Sequence, residues 1–213
     1  MTTEAGLRIA GYASYYRAGR SESQQPPFAC VLETALALGA PLIRVWAGTS
    51  GSVEVTSEAK AGVVADLGRI AALAGSQGIR VATEFHSGTL TDSAESTAAL
   101  MTAVGHPNLA THWQAPHGES VELASASLRT VLPWLAHLHV FHWWPGPANR
   151  RPLMEGESRW REYLAIANGD GAERFALLEF IPDDAPVLLR REAHTLRSWL
   201  EESAIKGPRG LSK

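Results

Sequence analysis

Short runs rich in β-branched and aromatic residues alternate along the chain with longer segments whose apolar residues recur every three or four positions. The pattern predicts strands over Leu7–Ser14, Pro41–Ala47, Gly78–His86, Asn108–Gln114, Ala136–His142 and Arg174–Ile181. Between and after them it predicts helices over Phe28–Leu38, Ser57–Ser76, Ser93–Val104, Glu119–Leu132, Ser158–Asn168 and Ala185–Glu202. Thr91, Asp92 and Ser93 offer capping oxygens ahead of the third helix, and Gly39, Gly78 and Gly105 stand where helices should stop. Such regular alternation demands parallel strands with crossover helices, either as an open doubly wound sheet or as a closed barrel. No phosphate-binding glycine fingerprint follows the first strand, which favours the barrel. The expected fold is therefore α/β, a (β/α) TIM-type barrel with six recognisable strands. A complete eight-unit barrel takes about 250 residues. The chain has 213, so a single partial barrel is expected over residues 1–204, with 205–213 as a disordered tail. An unclosed barrel exposes two strand edges, which a partner copy, a shortened gene product or an unusual closure has to explain.

Composition narrows the function classes. With 45% hydrophobic and 19% charged residues the chain reads as a single globular core. A net charge of -3, with basic pairs only at Arg150/Arg151 and Arg190/Arg191, leaves no electrostatic footprint for nucleic acid. The single cysteine, Cys30, lies in the apolar run Phe28–Leu38; it excludes a disulfide within the chain and is expected in the core. The start of the chain lacks a basic segment followed by an apolar one, and no stretch approaches the roughly 18 apolar residues of a membrane span. A soluble, cytoplasmic protein is expected.

In a parallel barrel the C-terminal ends of the strands converge on one face, so the last residues of each strand deserve inspection. They are unusually polar: Tyr15, Tyr16 and Arg17; Arg44 and Trp46; Glu84 and His86; Gln114 with His117; His137, His139 and His142; and Glu179. A carboxylate on a buried strand costs several kcal/mol unless it is paired or binds a metal. Glu84 and Glu179 together suggest a cation. Adding His139 gives an oxygen and nitrogen set suited to Mn²⁺, Mg²⁺, Co²⁺ or Zn²⁺, with Gln114 as a neutral fourth donor. Ordinary ion pairs are the alternative, with Arg44 or Arg150 as partner. The three histidines at 137, 139 and 142 also fit alternating core and surface positions, and Trp113, Trp143 and Trp144 suit either packing or stacking on a sugar face.

Several passages, in this order and spacing, resemble the xylose-isomerase-like barrel superfamily, in particular its sugar-phosphate isomerase/epimerase and ketose 3-epimerase branches. They are 35–41 running into 43–48, Glu84-Phe85-His86, His137-Leu138-His139, 149–152, the stretch from Gly156 to Trp160, and Leu178-Glu179-Phe180. The resemblance implies a metal site of Glu84, Gln114, His139 and Glu179, with Gln114 standing where an Asp is expected and removing a negative charge. His117 matches a substrate-binding histidine of the ketose epimerases. The same alignment of motifs makes the first strand the third of eight, so that the first two βα units are absent.

The activity so implied is a divalent-metal-dependent isomerisation or epimerisation of a sugar or sugar phosphate through an enediolate. Glu84 and Glu179 would be base and acid, His86 and His117 would bind substrate hydroxyls, Arg150 would anchor a distal hydroxyl or phosphate, and Arg44 and Trp46 would add substrate contacts. Two alternatives stay open. The first is a metal-dependent hydrolase or lyase, including an endonuclease-like branch that needs more metal ligands and a basic face. The second is a truncated, non-catalytic sugar-binding barrel. Expected partners are a small-molecule sugar or sugar phosphate and a second copy over the exposed edges, with neither nucleic acid nor membrane.

Overall fold

Largely buried apolar runs mark the central strands in the computed structural model, which describes residues 2, 4–23 and 26–205. The elements run β1 (Tyr12–Arg17), α1 (Phe28–Leu38), β2 (Leu42–Trp46), α2 (Ser57–Gly75), β3 (Arg80–Thr83), α3 (Ala94–Val104), β4 (Leu109–Gln114), α4 (Val121–Val131), β5 (Leu135–Val140), α5 (Glu157–Ala167), β6 (Ala176–Leu178) and α6 (Leu189–Ile205). The strand order is β1-β2-β3-β4-β5-β6, chain order, as six consecutive βα units require. Beyond Ile205, the tail expected over 205–213 lies outside the described residues. The chain divides into two units, Met1–Trp113 with Pro133–Ala136, and Gln114–Leu132 with His137–Lys213.

In the first unit β1 to β4 pair in parallel, with Tyr12 opposite Ile43, Ile43 opposite Val81 and Val81 opposite Leu109. The two-residue period sends Ile43, Val45 and Val81 into a core with Phe28, Val31 and Ala35 of α1 and Val63, Leu67, Ile70 and Ala74 of α2. Leu42, Ala82, Ala110 and Ala136 form a separate cluster from alternate positions. Tyr16 also points into the helix layer: its hydroxyl donates to Asp66 Oδ2 at 2.7 Å and to Glu22 Oε1 at 3.2 Å, and Arg69 Nη2 donates to the same hydroxyl at 2.9 Å. Burial first, then the hydrogen bond to Asp66, raises the Tyr16 pKa well above its ordinary value. Glu22 also accepts from the Phe28 backbone N–H at 2.9 Å, which ties the turn after β1 to the start of α1.

The helix ends follow their sequence cues. Ser93 accepts from Ser96 N in a reciprocal capping box, and Gly39 and Gly105 close α1 and α3 in the left-handed conformation, at φ 67° and 59°. Three expectations need correction. The first strand is Tyr12–Arg17 rather than Leu7–Ser14, because pairing with β2 begins at Tyr12; Leu7 and Ile9 mimic strand alternation, yet Leu7 is 62% exposed. Cys30 is exposed rather than core, since α1 buries Phe28, Val31 and Ala35 on its other face. The last strand and helix are shorter than expected: Phe180 takes φ 48°, and prolines open 3-10 turns at Pro182–Asp184 and Pro186–Leu188 before α6 begins at Leu189.

In the second unit β5 pairs in parallel with β6, with His139 opposite Leu177. Helices α4, α5 and α6 pack successively, helped by Ser125 Oγ donating to Glu162 at 2.6 Å and by Arg161 bridging Glu157 and Glu202. Trp160 is buried and its Nε1–H donates to the Phe141 carbonyl at 2.9 Å, and buried Glu192 accepts from Leu153 N–H at 2.6 Å. No helix among the described residues is long and apolar enough to cross a membrane.

Candidate functional site

The polar strand ends fall in both units. In the first, β3 stops at Thr83 and the chain turns through 84–91. Thr89 and Thr91, both fully buried, clamp this turn: the Thr91 hydroxyl donates to the Glu84 carbonyl and the Thr89 hydroxyl to the His86 carbonyl. Glu84 N–H donates to Val45 O at 3.0 Å, so the turn continues the sheet pairing. The Glu84 side chain, 11% exposed, forms an ion pair with Arg44 of β2, also 11% exposed. The ion-pair alternative is thus realised for Glu84 with Arg44. Trp46, at the end of β2, has its ring 4.6 Å from that of His86, between centroids, and 4.5 Å from the guanidinium carbon of Arg17. His86 Nδ1 lies 2.6 Å from the Ser87 carbonyl oxygen, which can only accept, so Nδ1 is the donor in that contact.

In the second unit His139 Nδ1 lies 3.2 Å from Glu179 Oε2, with side-chain exposures of 6% and 31%. Glu179 follows β6 directly, and its N–H donates to Val140 O at 3.0 Å, continuing the β5–β6 pairing. Beside this stands an aromatic cluster. Trp143 stacks on His117 with centroids 4.7 Å apart, and lies 4.8 Å from both Phe141 and Phe180. Arg150 sits 5.5 Å from the Trp143 ring and 5.2 Å from that of Phe180, while its Nη1 pairs with Asp184 at 2.7 Å. With Asn149, Arg151 and Asp183 it lines an open cleft. Burial first, and then the charge of Arg159, holds His142 below the usual histidine range. A Cβ on Gly156 would come within 2.6 Å of His142 Nδ1, so this histidine is packed in place rather than presented. Gln114 ends β4, half-buried, and its side chain makes no hydrogen bond to another described residue.

The expected residues are thus grouped, Arg44, Trp46, Glu84 and His86 in one unit, and His139 with Glu179 and His117 with Arg150 in the other. Two participants escaped the sequence reading of roles: Arg17, visible only as one of several polar strand ends, and the Thr89/Thr91 clamp, which nothing distinguishes from ordinary loop threonines.

A family model described as xylose isomerase-like TIM barrel matches residues 1–202. The chain belongs to that family. A curated member, the 3-dehydroshikimate dehydratase of Bacillus anthracis, is 29% identical over an alignment covering 72% of this chain; the chain spans 61% of that relative's length. Among solved structures, a D-allulose 3-epimerase from Methylomonas sp. superposes with TM-score 0.66 at 14% identity, covering 94% of this chain and 79% of that one. A xylose isomerase-like TIM barrel protein from Mycobacterium smegmatis in complex with magnesium superposes with TM-score 0.65 at 15% identity, covering 93% and 75%. The proteins of similar fold thus include an epimerase and one in complex with magnesium, and the relative by sequence is a dehydratase.

The residues present fit such a cation incompletely. Among the described residues, no group of three or more His, Cys, Asp or Glu side chains is placed to hold a metal ion. Glu84 is engaged by the Arg44 guanidinium, and Gln114 offers an amide where the resemblance expects an acid. His139 and Glu179 are two donors rather than a cage.

Proposed function

We propose that the chain is an enzyme that moves a proton at a carbon next to a carbonyl in a polyhydroxylated small molecule, as an isomerase or epimerase of a sugar or sugar phosphate. The observation that carries this reading is the His139–Glu179 pair, a nearly buried imidazole 3.2 Å from a carboxylate that is one-third exposed. A carboxylate so placed can take a proton from carbon, and the nearly buried imidazole packed beside it restricts where the carboxylate can lie. After transfer Glu179 is the acid that returns the proton to the neighbouring carbon in an isomerisation, whereas an epimerisation needs a second acid that delivers a proton to the opposite face of the same carbon. His117, steadied by stacking on Trp143, would bind a substrate hydroxyl. Glu84, held by Arg44, is the second carboxylate that the resemblance assigns to acid–base work.

A dehydratase reading has its own support in the relative at 29% identity. It begins with the same proton removal; a hydroxyl then leaves from the adjacent carbon instead of the proton returning. The two are separated by incubating the protein in D₂O with a panel of ketoses, ketose phosphates and 3-dehydroshikimate, with and without added Mn²⁺, Mg²⁺, Co²⁺ or Zn²⁺. Solvent deuterium entering recovered sugar supports the epimerase reading, and loss of water to an aromatic product supports the dehydratase. Glu179→Gln should lower either rate at least about a hundredfold with its melting temperature within a few degrees of the wild type. No exchange and no dehydration across the whole panel would sink both.

A further inference from the structure

The carboxylates at the strand ends of the first unit are outnumbered by guanidiniums. Arg44 is neutralised by Glu84. Arg17 is not: half-buried at the end of β1, it makes no ion pair, and its guanidinium makes no hydrogen bond, with any described residue. An arginine cannot shed its charge, so a half-buried guanidinium whose N–H groups are not taken up by any described residue stands ready for an anion.

The surroundings aim it. Arg17 and Trp46 are register partners on β1 and β2, so both side chains emerge on the same side of the sheet. That is the side opposite buried Tyr16, which faces the helices. The Trp46 ring supports the guanidinium at 4.5 Å, which fixes its plane without using any of its N–H groups. Arg44 stands on the same platform, 6.0 Å from the Trp46 ring and 5.6 Å from that of Tyr15. Two donors there, Arg44 Nε and Trp46 Nε1, are buried without a hydrogen-bond partner among the described residues. The local balance is two positive charges against one negative, and the ring of His86 closes on Trp46 from the turn after β3.

We propose that Arg17, mounted on Trp46, binds an anionic group of the substrate, a carboxylate or a phosphate, and so selects acidic polyhydroxylated compounds over neutral sugars. The inference rests on the reading of the chain as an enzyme of small polyhydroxylated molecules and narrows its substrate class. The planar fork would take two oxygens of the anion side by side, the geometry that arginine offers and lysine does not.

Calorimetric titration tests this with three probes: D-fructose, D-fructose 6-phosphate and quinate, the first neutral, the second a phosphate and the third a carboxylate. At least one anionic probe is expected to bind, more tightly than D-fructose, and the stronger of the two identifies the group. Arg17→Gln should weaken that binding at least tenfold and leave D-fructose unaffected. Arg17→Lys should lie between, and it also carries the test if the glutamine variant fails to fold. Equal affinity for neutral and anionic probes, no binding of either anion, or unchanged affinity in both variants overturns the proposal. Because the readout is binding, it is independent of turnover. Proton exchange without charge discrimination removes only the role of Arg17, while anion binding without exchange removes only the catalytic reading.

Discussion

Single side chains in this protein carry their consequences through charge. Arg44 and Glu84 are nearly buried together, so removing one strands the other in low dielectric. Arg44→Gln is expected to cost about 3–5 kcal/mol in a denaturant titration, while the double variant Arg44→Gln/Glu84→Gln, which leaves no lone charge, should recover a good part of that. His142 acts in the opposite sense. Its pKa is depressed in the folded chain by burial and by Arg159, so the unfolded chain binds the proton more readily. Its contribution to stability is fully present above the ordinary histidine pKa near 6.5 and is lost as pH falls from there through the lowered folded value. A melting curve series between about pH 5 and 8 should therefore slope downward on the acid side, and His142→Asn should flatten that slope.

At the scale of elements, caps and register decide what could be read from the chain. The α3 cap is a reciprocal Ser93/Ser96 box, and Ser93→Ala should destabilise by about 1 kcal/mol in thermal or urea unfolding. Helix α1 was legible to the residue because its apolar period, its glycine stop and its proline start agree. The expected first strand lies too early because Leu7 and Ile9 satisfy strand periodicity locally, whereas the register that matters is set by β2, where Tyr12 pairs with Ile43. The same limit applies at the strand ends. Carboxylates on apolar strands mark out Glu84 and Glu179 in the sequence, and Arg44 is one of the two arginines that the sequence offers as partner to Glu84. Arg17 was not singled out, since its exceptional property is the lack of a carboxylate partner, which only the folded neighbourhood reveals.

At the scale of the whole chain, membership of the family sets the reaction classes to test, and net charge sets the partners to leave aside. With -3 overall and no basic cluster, the protein should leave duplex DNA unretarded on a gel at physiological salt, and retardation there would reopen the endonuclease-like alternative. Strand β1 pairs only with β2, and β6 only with β5, among the described residues, so each presents an edge on which further copies can add. Light scattering is expected to return a defined oligomer rather than a broad aggregate, and a clean monomer mass would remove the homo-oligomer expectation. Here the outward position of Cys30 matters. As the chain's single thiol, it can form a disulfide only with another molecule. A preparation left in air will therefore accumulate covalent pairs joined through α1, whose doubled mass imitates a native dimer. Running the measurement with and without a reductant separates the two, and the same thiol then serves as a single attachment point for a fluorophore.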